Sequence, residues 1–193
     1  MAILELLRTL DLAGALVTIG AAGCQVENAR IIRERKGHDL LAVKDNQPAL
    51  RATVEAVFDR ACEANFEGER CDGQASVEDG HNRNEERDVS VVRAPEDLPS
   101  EWPDVAAVVQ VNGEREVGGV RTTTGHDDLS SDRRTGAEFA GWVREHWGIE
   151  TGLHWVLDVG FREDRSRIRA KHAGANLALI RRVAVPLLRR APG

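Results

Sequence analysis

The sequence predicts an α/β fold, and three observations support this prediction. Two short apolar runs, Ala15–Ile19 and Asp39–Lys44, flank a helical pattern over Cys24–Lys36. A strand, a helix and a second strand within about 30 residues are typical of a right-handed crossover in a parallel sheet. Between Gly68 and Ser131 the apolar residues alternate with polar ones, which indicates further strands. Helical patterns precede and follow these strands, so the sequence predicts a sheet flanked by helices.

The first elements are predicted from the spacing of apolar residues. In Met1–Leu10 these recur at i, i+3, i+4 and i+7, as in an amphipathic helix. The continuous apolar run Ala15–Ile19 is interpreted as a strand that is buried on both faces. A third helix is predicted over Gln47–Phe66, with Pro48 in its first turn.

Length and composition indicate one domain, or one domain with a small satellite. The chain has 193 residues, of which 41% are hydrophobic, enough for a real core. The three cysteines contain no CxxC pair, so neither a disulfide framework nor a zinc site is implied. The weakly polar run Leu12–Cys24 is shorter than the roughly 20 apolar residues of a membrane span. We therefore expect a cytoplasmic protein without a membrane segment.

Charge is distributed unevenly along the chain. The net charge is −6, but residues 160–193 contain nine Lys or Arg and two acidic residues. This local balance of +7 leaves −13 on residues 1–159. A polyanion such as DNA would meet the C-terminal end, although a solvated basic helix terminus explains the same pattern.

A long helix with a polar stripe is predicted near the C-terminal end. His146, Glu150, His154 and Asp158 follow one another at intervals of four residues. The apolar residues between them are expected to bury most of this helix, so Glu150 is predicted to be a partly buried carboxylate beside aromatic side chains. A buried carboxylate needs a partner, which could be a metal ion, an arginine or a histidine. The apolar residues are Val143, Trp147, Ile149, Leu153, Val156 and Leu157.

Three sequence motifs resemble the C-terminal segment of ISAs-type bacterial insertion-sequence transposases. They are HWGIE from His146, LHWVLD from Leu153 and FREDRSR from Phe161. These enzymes belong to the DDE class and have an RNase H-like core. The resemblance implies that Glu150 is the third member of an Asp-Asp-Glu triad that holds Mg²⁺. It also implies DNA transposition by phosphodiester cleavage and strand transfer, with the DNA of the transposon ends as partner.

The resemblance further implies a division of the chain into three segments. Residues 1–66 would form a partial RNase H-like βαβ core, and residues 67–131 an inserted β-rich region. Residues 132–193 would form C-terminal helices that complete the core and carry Glu150.

Two departures from the family pattern concern catalysis. The second catalytic Asp of the family follows the strand that matches Ala15–Ile19, and this position is Gly20 here. The first Asp lies on a strand that would precede Met1. We therefore expect an N-terminally truncated, catalytically inactive descendant, because a two-metal site needs several carboxylates.

Two groups of residues are predicted to contact DNA. Lys44, Asn46 and Gln47 match a Lys-x-Asn-Gln word of the family, which could position DNA phosphate or be ordinary turn residues. The second group follows Phe161 and could bind phosphate without reading sequence. Its members are Arg162, Arg165, Arg167, Arg169 and Lys171.

A third word, His81 to Arg87, also resembles the family pattern, with Asn82 in place of a glycine. Strand alternation would place Arg83, Glu85 and Arg87 on one face, where an ion-pair ladder is favoured slightly over a DNA contact.

Three structural expectations concern the second half of the chain. Asp127 and Asp128 follow a histidine where relatives tend to carry tyrosines, and paired Asp predicts a weak sheet edge. Residues 130–132 are predicted to cap the long helix. A final helix is predicted over His172–Arg190, with one stripe of apolar side chains facing the core. That stripe contains Leu177, Ile180, Val183, Ala184 and Leu187.

Three functions remain open from the sequence. The first is an inactive transposase remnant, and the second is a truncated DNA-binding or regulatory protein that interferes with full-length transposase subunits. The third is a helical metal-binding protein that uses the stripe around Glu150.

Overall fold

The computed structural model describes residues 2–64, 72–80, 83–96 and 98–190, without the side chains of residues 2, 78–80 and 83–85. Within these ranges the chain is a mixed α/β protein with five α-helices and six strands. The helices are α1 (Ala2–Thr9), α2 (Val26–Glu34), α3 (Pro48–Glu63), α4 (Gly136–Ile149) and α5 (Ala173–Arg190). The strands are β1 (Leu16–Ile19), β2 (His38–Val43), β3 (Asp72–Gly80), β4 (Arg83–Arg93), β5 (Ala107–Val117) and β6 (Val120–Ser130).

The first three helices and the crossover confirm the prediction from the sequence. α1, α2, β2 and α3 lie within one to three residues of their predicted bounds, and Pro48 opens α3. Residues 65 and 66, the predicted end of α3, lie outside the described residues. None of the described helices combines the length and apolar character that a membrane span needs.

All six strands form one sheet in the order β1-β2-β6-β5-β4-β3. β1 and β2 are parallel, and every other pair is antiparallel. The β-rich region predicted at residues 67–131 therefore continues the sheet of the crossover, through the pairing of β2 with β6. The three-segment division stays a prediction.

β1 differs from the prediction of a strand buried on both faces. All four of its residues are only half-buried, because β1 is an edge strand and pairs with β2 alone among the described strands. One face of β1 packs: Val17 and Ile19 contact a cluster from α1 and α2 that includes Leu7 and Ile32. The apolar run therefore corresponds to a strand at the sheet edge with one packed face.

The main core lies between α3 and one face of the sheet. Leu50, Val54 and Phe58 of α3 pack against Leu41 of β2 and Leu129 of β6, and all five are at most 3% exposed. These residues recur at the helical spacing predicted for α3 and at the alternating spacing of the strands. Burying side chains of this size contributes roughly 1.5–3 kcal/mol each.

The expectation of a weak sheet edge at Asp127 and Asp128 is wrong. β6 lies inside the sheet, where Asp127 pairs with Val43 of β2 and Asp128 with Ala42, while β5 pairs along its other side. The flanking strands supply backbone partners on both sides, and this pairing outweighs the low strand propensity of aspartate.

The cap of α4 also differs from the prediction. The hydroxyl of Thr135 accepts a hydrogen bond from the Glu138 amide at 3.3 Å, and the Glu138 carboxylate accepts one from the Thr135 amide at 3.0 Å. This reciprocal pair is a capping box. The predicted caps at 130–132 fail because Ser130 and Ser131 bond to Asp39 instead.

The described residues fall into two compact units, divided between Trp142 and Val143. In the second unit, the predicted core-facing stripe of α5 is wrong: Ile180, Val183 and Leu187 are 53–62% exposed, whereas Val185 is buried. Arg181 and Arg182 lie 4.0 and 3.2 Å from the Glu163 carboxylate.

Gly23 provides a test of the packing beside β1. A Cβ at this position would collide with Cγ2 of Ile19 and lie 2.9 Å from Cδ1 of Ile3. Gly23→Ala is therefore expected to reduce the free energy of unfolding by about 1–3 kcal/mol, measured by urea denaturation.

Gly141→Ala is the matched control. Its new Cβ meets nothing within 4 Å in α4, so helix propensity should leave the protein unchanged or up to about 1 kcal/mol more stable. Equal effects of the two substitutions would contradict the packing described for Gly23.

Candidate functional site

The carboxyl ends of β1 and β2 form the first candidate region. Gly20 follows β1 directly with φ −67° and ψ 168°, and a short 3-10 turn continues over Ala21–Gly23. Because Ile19 pairs with Leu41, Gly20 comes next in register beside Ala42 of β2. Glycine has no side chain, so this strand end supplies no carboxylate.

Asn46 and Gln47 connect the two strand ends. The Asn46 side-chain amide donates to the carbonyl of Ala21 at 2.8 Å, and that of Gln47 donates to the carbonyl of Cys24 at 3.0 Å. These bonds give both residues a structural role. Lys44 beside them is exposed, and contact of the three residues with DNA stays a prediction.

Asp127 and Asp128 reach the same end of the sheet from β6, which the sequence did not lead us to expect. They are 8% and 5% exposed. Burial raises the pKa of Asp127, although a hydrogen bond from Gln110 at 3.2 Å acts in the opposite direction. Oδ2 of Asp128 lies 3.1 Å from Nε2 of His126, in an orientation that makes no hydrogen bond. The Asp-Asp pair was visible in the sequence, but its burial depends on the pairing with β2.

Asp39 forms a second buried carboxyl group at the opposite end of β2. Its Oδ1 accepts a hydrogen bond from the Ser131 amide at 3.2 Å, while its backbone carbonyl accepts one from the Ser130 hydroxyl at 2.7 Å. Oδ2 has no partner. Burial raises the pKa of Asp39 to about 6, against the effects of Ser131, Arg33 and His38.

Cys24 is fully buried in the core against α3. Burial, followed by the charges of Asp128 and Asp39, raises the pKa of this thiol to about 12. The thiol therefore stays protonated at neutral pH and has no nucleophilic character. Cys24 and Cys62 are both free, and Cys71 lies outside the described residues.

Glu150 is exposed, which corrects the prediction of a partly buried carboxylate. Its side chain is 56% exposed, and its carboxylate lies 3.7 Å from Nε2 of His146. The neighbouring Trp155 is 60% exposed and provides no buried aromatic wall, and Ile149 is 54% exposed.

The polar stripe fails for a geometric reason. At Glu150 the α-helix gives way to two π-helical segments, Glu150–His154 and Val156–Gly160. A π-helix has more residues per turn, so positions four apart no longer share one face. Arg189 of α5 donates to the carbonyl of Gly152 in the first segment.

The donor set does not fit a resident Mg²⁺ ion. Across the described parts of the chain, no three His, Cys, Asp or Glu side chains lie close enough to hold one ion together. Gly20 offers no oxygen ligand from a side chain, and Glu150 has one histidine as its ion-pair partner.

The basic segment after Phe161 is exposed throughout its cationic positions. Glu163, inside the segment, pairs with Arg181 and Arg182 of α5. Arg162 and Lys171 bound the segment with φ of 52° and 42°, in the left-handed region that is unusual for such residues. The exposed cations are Arg162, Arg165, Arg167, Arg169 and Lys171.

Most of these cations are available to a ligand. The guanidinium of Arg169 donates to the carbonyls of Ser166 and Ile168. No side-chain partner lies within the described residues for the other four cations. The predicted set is therefore brought together on one segment, whereas Lys44, Asn46 and Gln47 belong to the other unit.

The ion-pair ladder predicted at residues 83–87 is only partly described. His81 and Asn82, and the side chains at 83–85, lie outside the described residues. Arg87 is half-buried on β4, opposite Gly113 of β5.

The chain is similar to three curated proteins of Escherichia coli. It is 38% identical over 195 residues to "Putative transposase YncI" of strain O157:H7, a match that covers 97% of this chain and 49% of that protein. It is 34% identical to "Putative protein YbfL" and 33% identical to "H repeat-associated putative transposase YhhI", both of strain K12. The chain spans about half the length of these relatives. No family profile and no solved structure matches it.

Asp39→Asn tests the buried carboxyl group. The raised pKa means that the folded protein binds this proton more tightly than the unfolded chain, so stability is lost as pH rises from about 4 through 6. At pH 7 the asparagine variant should be more stable than the native chain, by on the order of 1–3 kcal/mol, and the difference should vanish near pH 4.

Urea denaturation at several pH values measures this difference. Asp59→Asn, at an exposed position of α3, serves as the control and should leave the pH profile unchanged. An Asp39→Asn protein that is less stable than the native chain at every pH would contradict the assignment.

Proposed function

We propose that this chain is part of a DNA transposase and that its basic segment, residues 162–171, contacts DNA phosphates. The similarity over 97% of the chain to "Putative transposase YncI" supports the first part. The exposed cations of the segment support the second, and they are the observation that carries the proposal.

The chemistry of the segment favours phosphate over base edges. Arginine presents a planar fork of donors that matches phosphate oxygens. Arg162, Arg165 and Arg167 lie on irregular backbone, so they can follow a backbone of phosphates but are not arranged on a helix for insertion into a groove. Contacts of this kind give affinity without sequence readout, and they weaken as salt rises.

Glu163 acts as a positioning residue in this proposal. Its side chain is 20% exposed and pairs with both Arg181 and Arg182, and its amide donates to the carbonyl of Leu157 at 2.9 Å. The carboxylate is therefore occupied within the protein, and it leaves the neighbouring arginines to face solvent.

We also propose that the chain belongs to the DDE class with an RNase H-like core, and that by itself it does not cleave DNA. The crossover formed by β1, α2 and β2, together with the words around Glu150, supports the class. The absence of a carboxylate at Gly20 and the exposure of Glu150 support the lack of cleavage. Mg²⁺ as the cofactor remains part of this proposal.

A second candidate function is a DNA-binding regulator that occupies transposon ends in competition with full-length subunits. One observation favours it: the exposed cations do not depend on Glu150, so DNA could be bound without being cut. Cleavage by the chain would exclude this role, whereas binding without cleavage fits both functions.

The DNA contact is tested by Arg165→Ala/Arg167→Ala. Because each phosphate contact contributes about 0.9 to the slope of log K against log salt, this double variant should bind duplex DNA more weakly and lower that slope by about two. Fluorescence anisotropy over a salt series measures both quantities.

Arg8→Ala/Arg30→Ala is the charge-matched control, at exposed positions of α1 and α2. It should retain the native slope. If the control loses as much affinity as the test variant, DNA binds by net charge and not through the segment.

The cleavage proposal is tested with supercoiled plasmid and Mg²⁺ or Mn²⁺. The native chain, Gly20→Asp and Glu150→Ala should all leave the plasmid intact, because one added carboxylate does not create a two-metal site. Nicking by the native chain that disappears in Glu150→Ala would overturn the proposal.

A further inference from the structure

A cavity of about 400 Å³ lies in the first unit, at the sheet end opposite Gly20. Here β4 ends at Arg93, β5 begins at Ala107, and α4 begins at Gly136. The pairing of Leu40 with Ser130 places the cavity beside the N-terminal end of β2. Gly20 lies beside the C-terminal end of β2. The cavity is therefore separate from the region that the sequence singled out.

The lining of the cavity combines an apolar floor with a charged rim. Val91, Val92 and Ala107 form the buried floor. Three guanidinium groups and two carboxylates line the rim. These belong to Arg93, Arg133, Arg134, Asp72 and Glu138.

Both carboxylates on the rim are already used by the protein. Asp72 accepts hydrogen bonds from the amides of Gly136 and Gly73, at 2.7 and 3.0 Å. Glu138 accepts from the amide and the hydroxyl of Thr135, at 3.0 and 2.9 Å. These bonds satisfy the first turn of α4 and disperse the negative charge into its N-terminus.

The three arginines are not equally occupied. Arg134 pairs with Asp132 at 2.9 Å and with Glu138 at 3.5 Å. Within the described residues, neither Arg93 nor Arg133 has an ion-pair or hydrogen-bond partner for its side chain. Two guanidinium groups without a partner among the described residues thus line one cavity, in a part of the chain that is acidic overall.

We propose that this cavity binds a phosphorylated nucleoside, with the phosphate on Arg93 and Arg133 and the nucleoside over the apolar floor. Guanidinium groups match phosphate in charge and donor geometry. A cavity of 400 Å³ falls within the roughly 300–1,000 Å³ of small-molecule sites and is much larger than inorganic phosphate needs. The ligand is either a free nucleotide or the 5′-terminal nucleotide of a DNA strand.

Isothermal titration with dAMP, deoxyadenosine and inorganic phosphate tests the proposal on the full chain. dAMP should bind more tightly than either fragment, because only dAMP occupies both the rim and the floor. Arg93→Ala and Arg133→Ala should each weaken dAMP binding about tenfold, as expected for loss of one charge-assisted contact. Arg8→Ala, at an exposed position outside the cavity, should bind as the native chain does.

A spectroscopic readout locates the ligand independently of affinity. In amide spectra, dAMP should shift the signals of Thr135 and Gly136, and it should leave those of Ala21 and Asn46 at the opposite end of the sheet unchanged. Comparison of a 5′-phosphorylated oligonucleotide with its unphosphorylated form distinguishes a strand end from a free nucleotide, since only a strand-end ligand makes the phosphate increase oligonucleotide affinity.

Several outcomes would overturn the proposal. These are inorganic phosphate binding as tightly as dAMP, native affinity in both Arg93→Ala and Arg133→Ala, or no binding of dAMP. The proposal does not rest on the basic segment: Arg165→Ala/Arg167→Ala should retain dAMP binding even though it loses DNA affinity. The two proposals can therefore fail separately.

Discussion

The antiparallel pairing of β2 with β6 is the contact on which the rest of the first unit depends. It joins the parallel β1–β2 pair to a meander that begins about 30 residues later, and it makes one six-stranded sheet of both. The hydrogen bonds between Asp39 and Ser130 and Ser131 fix the register at one end of this pairing. A slip of one residue would turn Leu129 away from Leu41 and out of the core against α3, so register and core stabilise each other.

The same pairing buries negative charge inside the first unit. Asp39, Asp127 and Asp128 are all enclosed by it, and burial raises the pKa of the first two. Buried carboxyl groups of this kind reduce stability at neutral pH, so their contribution is to register and not to net stability. The available cations lie elsewhere, on the segment at 162–171 and on the rim of the cavity beside α4. An acidic protein can therefore present exposed cationic surfaces without being basic overall.

The sequence predicted the elements better than their surroundings. Local spacing was sufficient to predict α1, α2, α3 and β2, because their apolar residues recur at the helical or strand period.

Local spacing was insufficient to predict the burial of β1, of the stripe of α5 and of Glu150, because burial depends on which partner covers each face. The π-helical segments after Ile149 changed the register of the polar stripe, and no local signal in the sequence marked them. Likewise, Asp127 and Asp128 looked like poor strand residues, yet pairing on both sides of β6 places them inside the sheet. Of the candidate site, the cations at 162–171 are exposed and their contact with DNA stays a prediction, whereas the cavity beside α4 joins residues too distant in sequence to be foreseen.

Native-state hydrogen exchange tests most directly whether β2 and β6 form the centre of one sheet. The hydrogen-bonded amides of Leu40–Val43 and Asp127–Ser130 should exchange with the same free energy of opening, equal to that of global unfolding of the first unit. The amides of β1, at the sheet edge, should open at lower free energy. Protection in β2 combined with easy opening of residues 127–130 would contradict the account, since the meander would then detach without disturbing the crossover.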